Sequence, residues 1–434
     1  MFTPDVIALV VFALTYAVLG FGALPPLRID RTGAALVGAT AMVACRALRP
    51  GDAIAAVDFQ TLALLFGMMI VVAHLRLSGF FAWVGARTLR LGRTPARTLA
   101  LVVILSAVLS AFFVNDTACI LLTPFALETA AALGMSAVPF LLAVAMGANA
   151  GSVATLVGNP QNMLVGSFSG ISYTRFALVL APVAVLSILA TIAILRFAFR
   201  RELQAAGTAR GTMVEAAAGT ATAMAAATTG ANTITARLPG GRIRHQAILR
   251  KALIVTGLLL VALLGGINPG VAAMSAGAIL LITRRIRPER VWVHVDWGLL
   301  AMFAGLFVVV RGIEVTGWME RGLALIPSSA RESLIALSAV TAALSNVVSN
   351  VPAVLLLRGW PAHFANPEAA WLTLAMASTL AGNLTLVGSV ANLIVVEQAR
   401  ARAPIGFFAY ARVGVPLALI TLAMGTAWVA WVCR

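Results

Sequence analysis

Apolar residues run on both parities for roughly 15–25 positions at a time, as over residues 5–24, 59–75, 173–197 and 407–432. A membrane-crossing helix needs about 20 such residues. A barrel strand would alternate with period two, and no such alternation is present. The pattern predicts an all-α polytopic membrane protein. Residues 5–24 lack a basic leader and a small-residue cleavage site, so they read as a retained span.

The most polar long stretch is 198–250, rich in Ala, Thr, Gly and Arg. Its AAAGTATAMAAATTGAN segment holds nothing that anchors a core, which makes it a linker between two halves. Those halves repeat each other. Val57-Asp58-Phe59 leads to Gly67 and Gly79, and Val295-Asp296-Trp297 leads to Gly305 and Gly317 at the same spacing. LSAFFVNDTACILL (109–122) lies over LSNVVSNVPAVLLL (344–357), and TLVGNPQNMLV (155–165) over TLVGSVANLIV (385–395). Pro182 and Pro416 sit at equivalent places in the closing spans. Ordered matches of Asn, Gly, Ser and Pro are not a by-product of Leu/Ala-rich composition. The expected division is 1–56 N-terminal helices, 57–197 first repeat, 198–250 cytoplasmic linker, 251–294 a helix pair and 295–434 second repeat.

Each repeat carries two polar breaks inside apolar sequence. Backbone in a bilayer must satisfy its own hydrogen bonds, so such breaks need a reason. Asn115-Asp116-Thr117 and Ser349-Asn350-Val351-Pro352 read as tips of re-entrant hairpins, because flanks such as 99–114 and 118–133 are short for ordinary spans. Gly158-Asn159-Pro160-Gln161-Asn162 and Gly388-Ser389-Val390-Ala391-Asn392 read as interruptions in the middle of a helix. Asn followed by Pro is an N-cap and a first helical position. Each break therefore starts a half-helix whose free N–H groups point at the membrane middle. Small polar residues also cap kinks and join helices, but four matched breaks favour one transport site. The candidate substrate-binding residues are Asn115, Thr117, Asn159, Gln161, Asn162, Ser349, Asn350, Ser389 and Asn392.

Asp116 is the candidate for coupling. A carboxylate at a hairpin tip is costly unless it binds a cation or takes a proton, and the matching tip offers no Lys or Arg. Glu128 reads as interfacial, Arg311 and Glu314 as an i, i+3 pair, and Arg412 as paired or snorkelling. Cys119 reads as packing, with contact to a thiophilic solute the weaker alternative.

Composition agrees: the 434 residues are 61% hydrophobic and 11% charged, with a mean hydropathy of +0.98. A soluble chain carries about 25% charged residues. Soluble enzymes, disordered chains and disulfide scaffolds are excluded. The +16 charge is explained by Lys and Arg collecting in cytoplasmic loops, and nucleic-acid binding is rejected. Arg28 and Arg31 fall in the first such loop; Arg284, Arg285, Arg287 and Arg290 precede Asp296, whereas Asp58 follows a sparsely basic stretch. The second repeat thus enters from inside and the first from outside, so the repeats are inverted. The N-terminus is expected outside the cell membrane and 198–250 inside. Cys45, Cys119 and Cys433 lack metal spacing, and the four histidines are scattered, so no metal or cofactor is expected.

On FVNDTACILLTPF, TLVGNPQNMLVGSFSGIS, SNVVSNVP and AGNLTLVGSVANLIV, the chain resembles the ArsB/NhaD permeases of the ion-transporter superfamily, especially the YbiR-like anion permeases. The resemblance covers nearly the whole chain outside the linker. It implies an inverted-repeat helical fold whose tips and broken helices form one midplane site. Members move arsenite or antimonite outward, silicic acid, sodium against protons, or organic anions. Related dicarboxylate carriers have Ser-Asn-Thr at both tips; here the tips read Asn-Asp-Thr and Ser-Asn-Val. The expected activity is proton-coupled export of a small inorganic oxyanion or metalloid hydroxide, arsenite first, with H+ as coupling ion. The alternatives are a sodium/proton antiporter using Na+, or an importer of a small anion. The lipid bilayer is the obligatory partner; a homodimer and a soluble energy-coupling ATPase stay open.

Overall fold

A computed structural model describes residues 4–21, 29–205, 246–283, 285–324 and 327–434. The middle of the expected linker, 206–245, lies outside the described residues, as do Arg28 and Arg284. The first half consists of α1 (Pro4–Phe21), α2 (Arg31–Ala44), α3 (Pro50–Ala56), α4 (Phe59–Ser78), α5 (Phe80–Leu91), α6 (Pro95–Phe113), α7 (Asn115–Ala132), α8 (Val138–Ser152), α9 (Pro160–Ser169), α10 (Tyr173–Ala198) and α11 (Arg200–Ala205). The second consists of α12 (Gln246–Leu264), α13 (Pro269–Leu281), α14 (Pro288–Trp292), α15 (Trp297–Glu314), α16 (Trp318–Ala324), α17 (Ser328–Arg331), α18 (Leu334–Val348), α19 (Asn350–Leu357), α20 (Pro367–Leu380), α21 (Val390–Ala399) and α22 (Phe407–Val432).

Local signals set these starts. Asp30, Asp58, Thr94, Ser172, Asn268, Asp296, Ser333 and Asn366 each accept a backbone N–H from the first turn of the helix they precede. Gly79 and Gly317, matched in the repeat, both take positive φ, 84° and 70°, where a helix ends. Among the described helices, α4, α6, α10, α12, α15 and α22 are long and apolar enough to cross a membrane. Leu178, Leu189, Phe197, Ile254, Leu258 and Phe408 stand exposed on α10, α12 and α22. In a bilayer such residues face lipid.

The two halves exchange helices. Asn268 Nδ2 donates to Gln60 Oε1 (3.1 Å), joining the starts of α13 and α4. Thr32 Oγ1 donates to Gly298 O (3.3 Å), joining the starts of α2 and α15. Midway along each pair a glycine allows contact: a Cβ on Gly67 would collide with the Ala273 backbone, and one on Gly305 with that of Ala35. The helix preceding each repeat therefore packs in parallel against the first helix of the other.

The same contacts give direction. Lys251 Nζ, in the second turn of α12, donates to Ile279 O and Ile282 O at the end of α13. Thr174 Oγ1 at the start of α10 donates to Leu264 O at the end of α12 (2.9 Å). Arg196 at the end of α10 donates to Ala96 O at the start of α6 (3.2 Å). So α4, α10 and α13 end on the linker side, where α6 and α12 begin. Phe66 of α4 stacks on Trp292 of α14 (6.2 Å), and Val291 packs on Ile70 and Ala73, which puts the entry to α15 on that side too. α4 therefore runs toward the linker side and its repeat partner α15 away from it. The fold is an all-α polytopic membrane protein of two inverted repeats, each with a re-entrant hairpin and a broken helix.

One expectation needs correction. The arms of the first hairpin are not short: α6 and α7 have 19 and 18 residues, about 28 Å each at 1.5 Å per residue. The second hairpin is shorter, with arms of 15 and 8 residues. What identifies the hairpins is the one-residue turn, not the arm length. Val114 and Ser349, at matched positions, hold φ of 68° and 76° with ψ of 130° and 161°. Glycine alone adopts that region freely, and a β-branched Val there is strained.

Candidate functional site

The chemistry of the site begins with backbone ends. At each tip the turn at Val114 or Ser349 stops one helix and starts the next, so α7 and α19 present their first N–H groups at the same depth. At the two breaks, short 3-10 turns, Leu156–Gly158 and Leu386–Gly388, lead into α9 and α21. Asn159 caps α9 with its Oδ1 on Asn162 N (2.8 Å), while Ser389 precedes α21 with no side-chain cap.

Both tips and both breaks line one cavity of about 200 Å³. At ~30 Å³ per liquid water that is room for about seven waters. Asn115 and Asp116 come from the first tip, Ser349 and Asn350 from the second, Gln161 from the first break and Ser389 from the second. Leu19, Pro160, Leu299, Met302, Val351 and Val390 supply apolar wall. Asn350 is the junction. With its amide oriented to satisfy both atoms, Nδ2 donates to Ser378 O and Gly388 O (3.0 Å each) and Oδ1 accepts from Gln161 Nε2 (3.3 Å). One side chain thus joins a tip to both breaks.

Beneath the cavity, each break is braced by the opposite half. Thr379 Oγ1 accepts from Asn159 Nδ2 (3.0 Å) and Gln161 Nε2 (3.2 Å). At the position matching Thr379, Asn149 Nδ2 donates to Asn392 Oδ1 (3.1 Å) and Asn383 Oδ1 (2.9 Å), and its Oδ1 accepts from Ser389 Oγ (3.3 Å). Networks of this kind hold a shape firmly when their members are satisfied.

That bracing separates the sequence-derived candidates. Asn159, Asn162 and Asn392 are fully buried and are not among the cavity-lining residues. Asn162 Nδ2 donates to Ser152 O and Thr155 O (2.9 Å each), and Asn392 Nδ2 to Gly382 O (2.6 Å) and Thr385 O (3.2 Å). Their amides close the unwound turns and have little left for a solute. Thr117 also stands outside the lining, in the first turn of α7. Cys119 is buried and packs in the apolar core.

Asp116 is half-buried in the cavity wall, and its carboxylate makes no hydrogen bond or ion pair with any described residue. Its surroundings differ from expectation in one respect. Arg31, read from sequence as a loop charge, is the first residue of α2 and lines the same cavity, as do Thr32 and Asp296. These three lie at the linker-side mouth, where α2 and α15 begin. Asp296 Oδ1 caps α15 through Leu299 N (2.9 Å). Its repeat partner Asp58 is held by Gln60 N (3.0 Å) and by Thr61 Oγ1 (2.6 Å). Two residues before Asp296, between the spans, burial and the Arg76 guanidinium bring His294 down to about 4. The signal for Asp296 was present in the Val-Asp-Phe/Val-Asp-Trp repeat mark. For Arg31 there was none beyond its place after the capping Asp30.

Known proteins resemble this chain over most of its length. A family model described as citrate transporter (CitMHS) matches residues 7–381. The silicon efflux transporter LSI3 of Oryza sativa subsp. japonica is 32% identical over 463 aligned positions, covering 96% of each chain. A putative transporter arsB of Dictyostelium discoideum is 25% identical, covering 92% of this chain and 87% of its own. Among solved structures, the Alcanivorax borkumensis YdaH transporter superposes with a TM-score of 0.55 at 14% identity, covering 99% of this chain and 98% of that one. At that identity the likeness is one of fold.

Proposed function

The chain belongs to the CitMHS citrate-transporter family of the ion-transporter superfamily, and on that footing we propose that it exports a small uncharged metalloid hydroxide, of the arsenous or silicic acid type, against protons. It is a multi-pass secondary transporter, similar over nearly its whole length to proteins named as transporters.

The observation that carries the solute class is the charge of the cavity wall. Among the described lining residues, Asp116 and Asp296 face one arginine, Arg31, so that part of the wall is net negative with both carboxylates ionised. A citrate-like polyanion would meet like charge in a poorly hydrated site, where repulsion is strongest. A neutral hydroxide presents O–H groups that donate to the carboxylates and to amide oxygens, and oxygens that accept from Asn115 and Ser349, which line the same cavity. The rice relative is named for silicon efflux and the Dictyostelium relative for arsB, which supports the same class.

Uphill movement of an uncharged solute needs a second ion. Asp116 supplies the site for it: protonated while one face is open, ionised while the other is, within an alternating-access cycle. With positive charge gathered on the linker side, that side is the cytoplasm of the cell membrane, the N-terminus is outside, and the cavity mouth at Arg31 and Asp296 opens inward. The two carboxylates equally suit a metal cation, so sodium/proton antiport is the second reading.

Flux into and out of proteoliposomes under imposed pH gradients separates the readings. Arsenite or silicic acid moving with a counter-flow of protons is the expected result. Sodium flux without metalloid flux would favour the second reading, and pH-driven citrate uptake would overturn both.

A further inference from the structure

A second cavity, of about 240 Å³, lies apart from the first where α4 and α13 end and α12 begins. His74, Lys251, Thr283 and Arg285 line it, and Ile282 forms its rim. His74 is 2% exposed. Its Nδ1 lies 2.8 Å from Ile70 O, so that nitrogen carries the hydrogen and donates. Nε2 is then a bare acceptor, and among the described residues no group donates to it. A buried acceptor left without a donor is unfavourable, so a missing group is implied.

The neighbours specify that group. Lys251 Nζ donates to Ile279 O and Ile282 O, both at 2.6 Å, which leaves its third N–H for the cavity. Arg285 is exposed beside it, and its backbone N–H donates to Thr283 Oγ1 (3.2 Å), leaving the threonine hydroxyl proton free. No carboxylate is among the described lining residues. Water would satisfy Nε2 but would leave two cations facing each other. Phosphoryl oxygens on Lys251 and Arg285, with an adjoining hydroxyl donating to Nε2, satisfy all of them. Ile282 is 79% exposed and Ile279 47%; they make an apolar shoulder on the membrane side of the cations.

We propose that this cavity binds a phosphate group that carries or adjoins a hydroxyl, at the linker-side membrane surface. The shared chemistry has two sources: an anionic phospholipid headgroup such as phosphatidylglycerol, its chains lying over Ile279 and Ile282, or free inorganic phosphate. The site does not depend on the identity of the transported solute.

The test uses delipidated full-length protein in detergent, read by native mass spectrometry and thermal unfolding. Phosphatidylglycerol, phosphatidylcholine and inorganic phosphate are titrated separately against wild type, Arg285→Gln, His74→Phe and the exposed control Arg200→Gln. Wild type should bind phosphatidylglycerol at least tenfold more tightly than phosphatidylcholine. Arg285→Gln should weaken that binding about tenfold or more, the effect of one charge-assisted hydrogen bond, and Arg200→Gln should leave it intact. A Tm shift with inorganic phosphate that phosphatidylglycerol does not exceed assigns the free ion; the reverse assigns the lipid. Arg285 is exposed, so its variant keeps the test valid if His74→Phe does not fold. Equal binding of both lipids with no response to phosphate, or an Arg285→Gln protein that matches Arg200→Gln, overturns the proposal.

Discussion

Glu314 and Arg358 form a two-pronged ion pair, with Nε and Nη2 of the arginine 2.6 Å and 2.5 Å from the two carboxylate oxygens. The guanidinium also lies over the Phe168 ring, 4.9 Å from its centroid, and Arg311 adds a 3.5 Å contact to Glu314. The pair ties the end of the second hairpin to the end of α15, on the face opposite the linker. In the repeat register, Glu314 corresponds to Arg76 and Arg358 to Thr123. An arginine and a threonine at the matched linker-side positions do not form the same acid–base pair. Arg358→Met is expected to cost roughly 1.5–3 kcal/mol, the range for a charged hydrogen bond. It should also raise labelling of a Ser349→Cys reporter by an impermeant maleimide applied opposite the linker. Unchanged labelling would remove the clamp from the account of which face is closed.

The swapped helix pairs make a matched prediction. Gly67→Ala and Gly305→Ala each force a methyl into the facing backbone of Ala273 or Ala35. Each should destabilise by about 1–3 kcal/mol, read as a lower Tm of the purified protein. Gly257, with nothing within 4 Å of its would-be Cβ, is the control; its alanine variant should be neutral or stabilised by about 0.5–1 kcal/mol.

Gln161 and Asn162 are neighbours with different tasks. Gln161→Ala removes a cavity-lining amide and should weaken solute binding; because Thr379 and Asn350 also lose its N–H groups, it should lower Tm as well. Asn162→Ala leaves Ser152 O and Thr155 O without their donor and should cost about 1–3 kcal/mol of stability. Calorimetry or thermal unfolding in parallel with solute titration separates the two. Equal effects of both variants on both readouts would contradict the division.

The breaks were legible because polar residues inside long apolar runs are conspicuous, and because Asn-Pro names a helix start. The tips' backbone was not: nothing in Val114 or Ser349 announces a positive φ, which the surrounding packing imposes. Nor did residue type say which amides face the solute. Asn162 and Asn392 look like ligands in the sequence, but their partners are carbonyls of their own unwound turns. Arg31 was hidden for the opposite reason. An arginine next to a span reads as loop charge, and only the pairing of α2 with α15 carries it to the cavity mouth. The arms of the first hairpin misled as well, since a one-residue turn permits arms as long as the 19 and 18 residues of α6 and α7.

Asp116 decides the account. Asn keeps the size and hydrogen-bond reach of the carboxylate but takes no proton, and it caps a helix equally well. The measurement is metalloid flux and accompanying proton movement in proteoliposomes containing wild-type or Asp116→Asn protein, with and without an imposed pH gradient. The account predicts that Asp116→Asn folds, retains downhill exchange, and loses both gradient-driven accumulation and the coupled proton flux. An Asp116→Asn protein that still concentrates its solute in response to pH would contradict it.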